Sequence, residues 1–267
     1  MRYFISLSYN GRTFNGWQVQ PGQPSVQSEL ERAFSVYLGE KIDVTGAGRT
    51  DSGVHAINYI AHLDIERPLD PEELTRLVYK INAILPPDIV LYKICQVPAG
   101  SHARYDATGR TYNYYVHTRK DPFLGEYSYF FPYEINLKKM NLAARYLIGE
   151  KDFTSMSKLH TDVKTNICTV SEAIWTPGAP LNFTSLCKEE SKGGELTTLC
   201  FTITANRFLR NMVRAVVGSL LEVGRGRKEP IWIEEVLEKK NRCEAGSSVP
   251  AHPLFLTRIE YPEGEGI

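Results

Sequence analysis

Runs rich in Val, Ile, Thr, Tyr or Phe fall at 57–65, 88–97, 110–118, 166–175, 197–205 and 254–261, singly or in pairs between helical stripes. No strand–helix–strand register repeats along the chain. That pattern favours an α+β fold, with a mainly antiparallel mixed sheet flanked by helices, over a doubly wound parallel sheet. The first strand is expected at 3–9, where Tyr3, Ile5, Leu7 and Tyr9 alternate before Asn10-Gly11. A helix over 25–38 follows from Ser25 as N-cap, a stripe through Val26, Leu30, Phe34 and Leu38, and Gly39 as a left-handed cap. The clearest helix begins at Asp70-Pro71-Glu72-Glu73 and stops at Pro86-Pro87. Further helices are expected at about 137–148, 207–222 and 231–240, and loops at 122–132 and 177–194.

A chain of 267 residues can hold one large domain or two small ones. Here the elements divide into two comparable sets, 1–105 and 106–267. Thirty-one basic residues balance thirty-one acidic ones, which excludes an indiscriminate polyanion binder, so any nucleic-acid role must rest on local charge. Five cysteines without a Cys-x-x-Cys pair suggest neither a disulfide framework nor a thiolate zinc site, and reduced thiols point to the cytoplasm. No His, Cys, Asp or Glu cluster has metal-ligand spacing. No apolar run approaches the length of a membrane span, and the N-terminus reads as strand rather than signal peptide.

The segment that stands out chemically is Gly46-Ala47-Gly48-Arg49-Thr50-Asp51-Ser52-Gly53-Val54-His55-Ala56. It lacks the Gly-Lys-Ser/Thr ending of a phosphate-cradling loop, and Asp51 would repel a phosphate. Such a segment suits the presentation of one carboxylate. Glycines permit tight turns and close substrate approach, and Arg49 shares a side with Asp51 if the segment is extended, favouring the ionised, nucleophilic form. A purely structural Asp–Arg turn is the alternative reading.

Gly48 to Ala56 resembles the signature of the TruA family of tRNA pseudouridine synthases, with Ser52 where Ala is usual. Tyr9 to Gln18 is similar to the family's N-terminal motif, with Asn10 for the usual Asp. His102 to Tyr114 resembles its central motif, Asp152 to Ser155 a shorter one, and Asn206 to Gly218 its C-terminal helix motif. These motifs occur in order and span nearly the whole chain.

The resemblance implies a pseudouridine synthase fold of two similar halves around a central cleft. The half 1–105 would carry the catalytic Asp loop, and 106–267 the base-stacking Tyr and the arginine helix. It also implies isomerisation of uridine to pseudouridine at positions 38, 39 and 40 of the tRNA anticodon arm, without metal or organic cofactor, by a homodimer. Asp51 would be the nucleophile, and Arg49 would displace or replace the flipped nucleotide. Tyr112 would lie against the base, Arg214 would pair with Asp51, and Leu254 would form an apolar wall; Pro253 stands where Gly is common.

The residues also admit plainer readings. Tyr112, Tyr114 and Val116 alternate on one strand face and could line the core. Arg207, Arg210 and Arg214 fall at spacings of three and four, and residues 207–228 hold six basic side chains against Glu222 alone. Arg207 and Arg210, with Arg110 in the central motif, are the candidate RNA-contacting residues, with a solvated arginine face as the alternative. His55 and His102 read as structural, and Trp17 as structural or RNA-facing. Besides the synthase, an RNA-binding module without activity and a carboxylate glycosidase acting on a nucleoside fit parts of the pattern.

Overall fold

The computed structural model describes residues 1–158, 165–178, 180 and 198–262. The chain forms two compact units, one of Met1–Arg110 with Phe255–Ile267 and one of Thr111–Leu254. Strands and helices of both units make an α+β fold whose strand pairing is mainly antiparallel.

In the first unit β1 (Arg2–Tyr9) lies between β4 (Ile89–Gln96) and β3 (His55–Asp64), antiparallel to both, with Tyr3 opposite Leu63 and Gln96. A short β2 (Val44–Gly46) pairs antiparallel with β3. The C-terminal strand β10 (Leu254–Glu260) runs parallel to β3, with Phe255 opposite His55, and this ladder ties the end of the chain to its beginning. Tyr3, Phe4, Ile5 and Leu7 are all fully buried, so β1 is covered on both faces and its expected alternation is overridden. Helices α1 (Val26–Leu38) and α2 (Pro71–Ile84) start where their caps predict. The Ser25 and Asp70 side chains each accept the N–H three residues on, and Gly39 ends α1 at φ +73°.

In the second unit β5 (Gly109–His117), β9 (Thr198–Ala205), β8 (Ile167–Pro177) and β7 (Gly149–Asp152) follow one another, with β6 (Tyr129–Phe130) parallel to β5. The short strands β2, β6 and β7 were not expected, because two to four residues carry too little periodicity to register. The helices are α3 (Leu137–Arg145), α4 (Met212–Gly224) and α5 (Trp232–Lys239). Buried Trp175 packs against Phe201 at 5.0 Å, and Asn141 of α3 both donates to the Trp175 carbonyl and accepts its N–H.

One boundary corrects the sequence reading with consequences for the site. The helix expected over 207–222 begins at Met212, because Asn211 is left-handed (φ +66°), a conformation that cannot continue a helix. Arg207 and Arg210 therefore lie on an irregular lead-in, and only Arg214 is on α4, so the three share no helix face. The expected hairpin or insertion around 188–194 lies outside the described residues, as does Cys187.

Candidate active site

The Asp51 loop joins β2 to β3 and is gripped by the segment after β1. Thr50 points inward: its hydroxyl meets the Tyr9 hydroxyl at 2.9 Å, and its carbonyl accepts the Trp17 N–H at 3.3 Å. The Tyr59 hydroxyl, rising from β3, donates to the Gly48 carbonyl. The Asp51 carbonyl accepts the Val54 N–H at 3.2 Å, closing a turn in which Gly53 takes φ +79°. Arg49 is exposed, Thr50 buried and Asp51 half-buried. The loop thus presents Arg49 and Asp51 on the side away from the core, as an extended segment should.

Glycine makes this grip close. A Cβ on Gly16, which has φ +86°, would overlap the Thr50 carbonyl, and one on Gly46 would come within 2.5 Å of the Trp17 ring. The N-terminal motif and the Asp motif are therefore one physical object. Trp17, 3% exposed and stacked on Tyr59 at 4.2 Å, belongs to its core, which settles the two readings of that residue as structural. His55 is structural too, with Nδ1 accepting the Gly11 N–H at 3.1 Å and its ring stacked on Phe255. The two departures from the family pattern here are accommodated. Asn10 accepts the Arg12 N–H through Oδ1, as Asp would, and the Ser52 hydroxyl donates to the Phe14 carbonyl.

Arg110 sits in this unit as a brace. Its guanidinium donates to the carbonyls of Ala107 (2.6 Å), Arg104 (2.7 Å) and Ala47 (3.0 Å), tying the Asp51 loop to the turn at 102–107. These bonds to backbone occupy donors that an RNA-contacting role would use.

In the second unit Arg214 and Leu254 adjoin one strap, residues 245–253, and Tyr112 lies on β5, whose Tyr114 and Tyr115 bond to that strap. Tyr112 is half-buried on β5 and meets Phe208 edge to face at 5.1 Å. Tyr114, on the same strand face, is fully buried and donates to the Pro250 carbonyl; burial pushes its hydroxyl pKa far up, so it packs and does not titrate. Half-buried Arg214 donates Nε to the Val249 carbonyl at 2.7 Å, and the Val249 N–H returns to the Arg214 carbonyl at 3.2 Å. Leu254 is 5% exposed and ends the strap, its N–H on the Ala251 carbonyl, in a turn that contains Pro253.

The strap is itself fastened. The Asn211 amide and the Arg242 guanidinium both donate to the Ser248 hydroxyl, at 2.6 and 2.8 Å, and the Gly246 N–H bonds the Ser219 hydroxyl. Gly218 lacks a Cβ where the Ser247 carbonyl presses on α4. Neither this strap nor the Tyr59 clamp was legible from local sequence, since nothing in a Gly-Ser-Ser-Val run marks its distant partners.

Two of the remaining basic residues, Arg225 and Arg227, have partners within the chain. Arg225 lies 3.6 Å over the Tyr133 ring, and Arg225 and Arg227 both approach Glu222, at 3.8 and 3.4 Å. Arg207 is half-buried and Arg210 exposed. Among the described residues no group of three or more His, Cys, Asp or Glu could hold a metal ion, and no helix is long and apolar enough to cross a membrane.

The family model described as tRNA pseudouridine synthase matches residues 5–106 and 143–262 of the chain. Asp51 and Arg49 fall in the first stretch, Arg214 and Leu254 in the second, and Tyr112 in the interval between. The chain is 51% identical over 262 residues to tRNA pseudouridine synthase A of Bacteroides thetaiotaomicron, covering 98% of this chain and 91% of that protein. It is 49% identical to the Parabacteroides distasonis protein of the same name, covering 98% and 96%. With the Bacillus subtilis protein of that name the identity is 39%, over 98% of this chain and 99% of the other. A match of this extent, over a fold that holds one carboxylate loop rigidly outward, shows that the chain belongs to the tRNA pseudouridine synthase family.

Proposed function

We propose that this isomerase converts uridine to pseudouridine at positions 38, 39 and 40 of the tRNA anticodon stem-loop, with Asp51 as nucleophile on a flipped-out base. The observation that carries the proposal is the Asp51 loop, whose backbone is fixed by glycine contacts while Arg49 and Asp51 face away from the core. The reaction breaks the C1′–N1 bond, turns the uracil while it stays bound, joins C1′ to C5 and releases the C5 proton. A single carboxylate suffices, attacking C1′ or C6 or promoting a glycal route.

Extrusion of the uridine costs a few kcal/mol. Stacking of the base on Tyr112, worth ~1–3 kcal/mol, offsets much of that cost. Arg49 fills the position the base leaves, Leu254 supplies an apolar wall, and Arg214 is the residue the motif assigns to pair with Asp51; these four roles rest on the motif matches. Arg207 and Arg210 contact backbone phosphates, and the working unit is a cytoplasmic homodimer.

The test is tritium release from C5-labelled, unmodified tRNA in the presence of chelator. The parent should release tritium from the anticodon arm, and Asp51→Asn should bind the same tRNA and release none. Release by Asp51→Asn at the parental rate would remove the nucleophile assignment. Binding without release by the parent would make the chain an RNA-binding module instead.

A further inference from the structure

The turn at 102–106 carries a feature that the proposed chemistry does not use. Tyr105 is 76% exposed, yet its surroundings are rigid. His102 Nδ1 accepts the N–H groups of both Arg104 (3.2 Å) and Tyr105 (3.3 Å), and the Asp106 carboxylate takes the His102 N–H at 2.5 Å. Below, the Ala103 N–H bonds His62 Nδ1 at 3.1 Å, and the Ala103 carbonyl accepts the Tyr261 hydroxyl at 2.6 Å. The Tyr105 ring lies on the His102 imidazole, with centroids 4.2 Å apart and planes inclined 35°. An exposed aromatic held in this way loses little freedom when something stacks on it.

Its position points to the occupant. Arg110 Nη2 bonds the Arg104 carbonyl and the Ala47 carbonyl with the same nitrogen, so this turn and the Asp51 loop share one anchor. The Arg104 guanidinium is exposed, 5.9 Å from the Tyr105 ring centroid. The neighbouring carboxylate, Asp106, is half-buried and accepts the His102 N–H, so Arg104 is the exposed charge of the turn. A fixed ring beside a cation suits a nucleobase and its phosphate.

We propose that Tyr105 and Arg104 form a second RNA contact beside the Asp51 loop, Tyr105 stacking on a nucleotide that flanks the target uridine and Arg104 pairing with a backbone phosphate. This rests on the reading of the chain as a synthase acting on tRNA. Binding of an unmodified tRNA transcript to the full chain, measured across a salt series, tests it. Tyr105→Ala should weaken binding roughly 5- to 150-fold, the range expected for one lost stack, and Tyr105→Phe should restore it to within about twofold. Arg104→Gln should lower the slope of log affinity on log salt by about 0.7–0.9, the signature of one phosphate contact.

Tyr105 is exposed, so thermal unfolding of both Tyr105 variants should match the parent. If the parent binds and modifies tRNA while Tyr105→Ala binds within twofold of it, the second contact alone is overturned. A parent that neither binds nor modifies tRNA overturns the synthase reading and this contact with it. Equal losses in Tyr105→Ala and Tyr105→Phe would show that the hydroxyl, not the ring face, is responsible, and would also overturn it.

Discussion

The loop that presents Asp51 and the helix start that presents Arg214 are held by different physical means. Around Asp51 the grip is steric: the backbone at Gly16 and Gly46 approaches so closely that a single added carbon collides with a carbonyl or a ring. Around Arg214 the grip is a set of hydrogen bonds from the 245–253 strap, through Val249 to Arg214 and through Ser248 to Asn211 and Arg242. Close packing fails abruptly when volume is added, because interiors are near crystalline density. Hydrogen bonds fail gradually, since each contributes about 0.5–1.5 kcal/mol net.

The largest effect should come from adding volume on the Asp51 side. Gly16→Ala adds both the strain of φ +86° and the collision with the Thr50 carbonyl. It should destabilise the protein by about 2–4 kcal/mol and cut turnover at least about 100-fold. Gly22→Ala is the control, because Gly22 also has positive φ (+70°) but open space where the Cβ would go. It should cost about 1 kcal/mol and leave turnover within about twofold. Urea denaturation with tRNA turnover reads both, and equal losses in the two variants would reduce the steric grip to backbone strain alone.

A smaller effect is expected from the hydrogen-bonded side. Arg214→Lys removes the Nε donor to Val249 and the planar fork, so turnover should fall about 100-fold while tRNA binding changes only a few-fold. Parental turnover in Arg214→Lys would show that a point charge there is enough and would remove the forked role.

The smallest effect is electrostatic. Burial, then the Arg2 guanidinium, pushes the His62 pKa down to about 4, so the folded protein keeps His62 neutral where the unfolded chain takes up a proton near pH 6.5. The unfolded state binds more protons across that window, so stability rises with pH through it and is lost as pH falls from about 6.5 towards 4. His117 and His252 in the second unit are shifted down by burial in the same sense. Urea midpoints between pH 7.5 and 4.5 should therefore fall in the parent, and His62→Asn, which retains an acceptor for the Ala103 N–H, should flatten part of that fall. An unchanged slope would assign the acid sensitivity to the second unit.

The fold class, α1, α2 and the Asp51 loop were legible because their determinants are local. Ser25 with Gly39, and Asp70 with Pro71, act within a few residues of where they stand, and alternation along Arg49-Thr50-Asp51 is a property of extended backbone. The start of α4 was not legible. Residues 207–222 carry a helical stripe throughout, but Asn211 is left-handed in a site where its amide meets Ser248, a partner 37 residues away. The brace made by Arg110 was not legible for the same reason: its motif marks it as basic, and only the folded chain supplies the carbonyls that engage it.

The amino-acid sequence by itself determined an α+β chain with a glycine-bearing loop around Asp51, together with motifs specific enough to place it in its family. Tertiary structure alone decided which arginines face outward and which are spent on carbonyls and rings. It also decided that Trp17 is core and that a Gly-Ser-Ser-Val run is the fastening of Arg214. Caps and periodicity act over one or two helical turns, whereas the partners of a guanidinium or an amide are chosen by whichever distant backbone the fold brings within 3 Å.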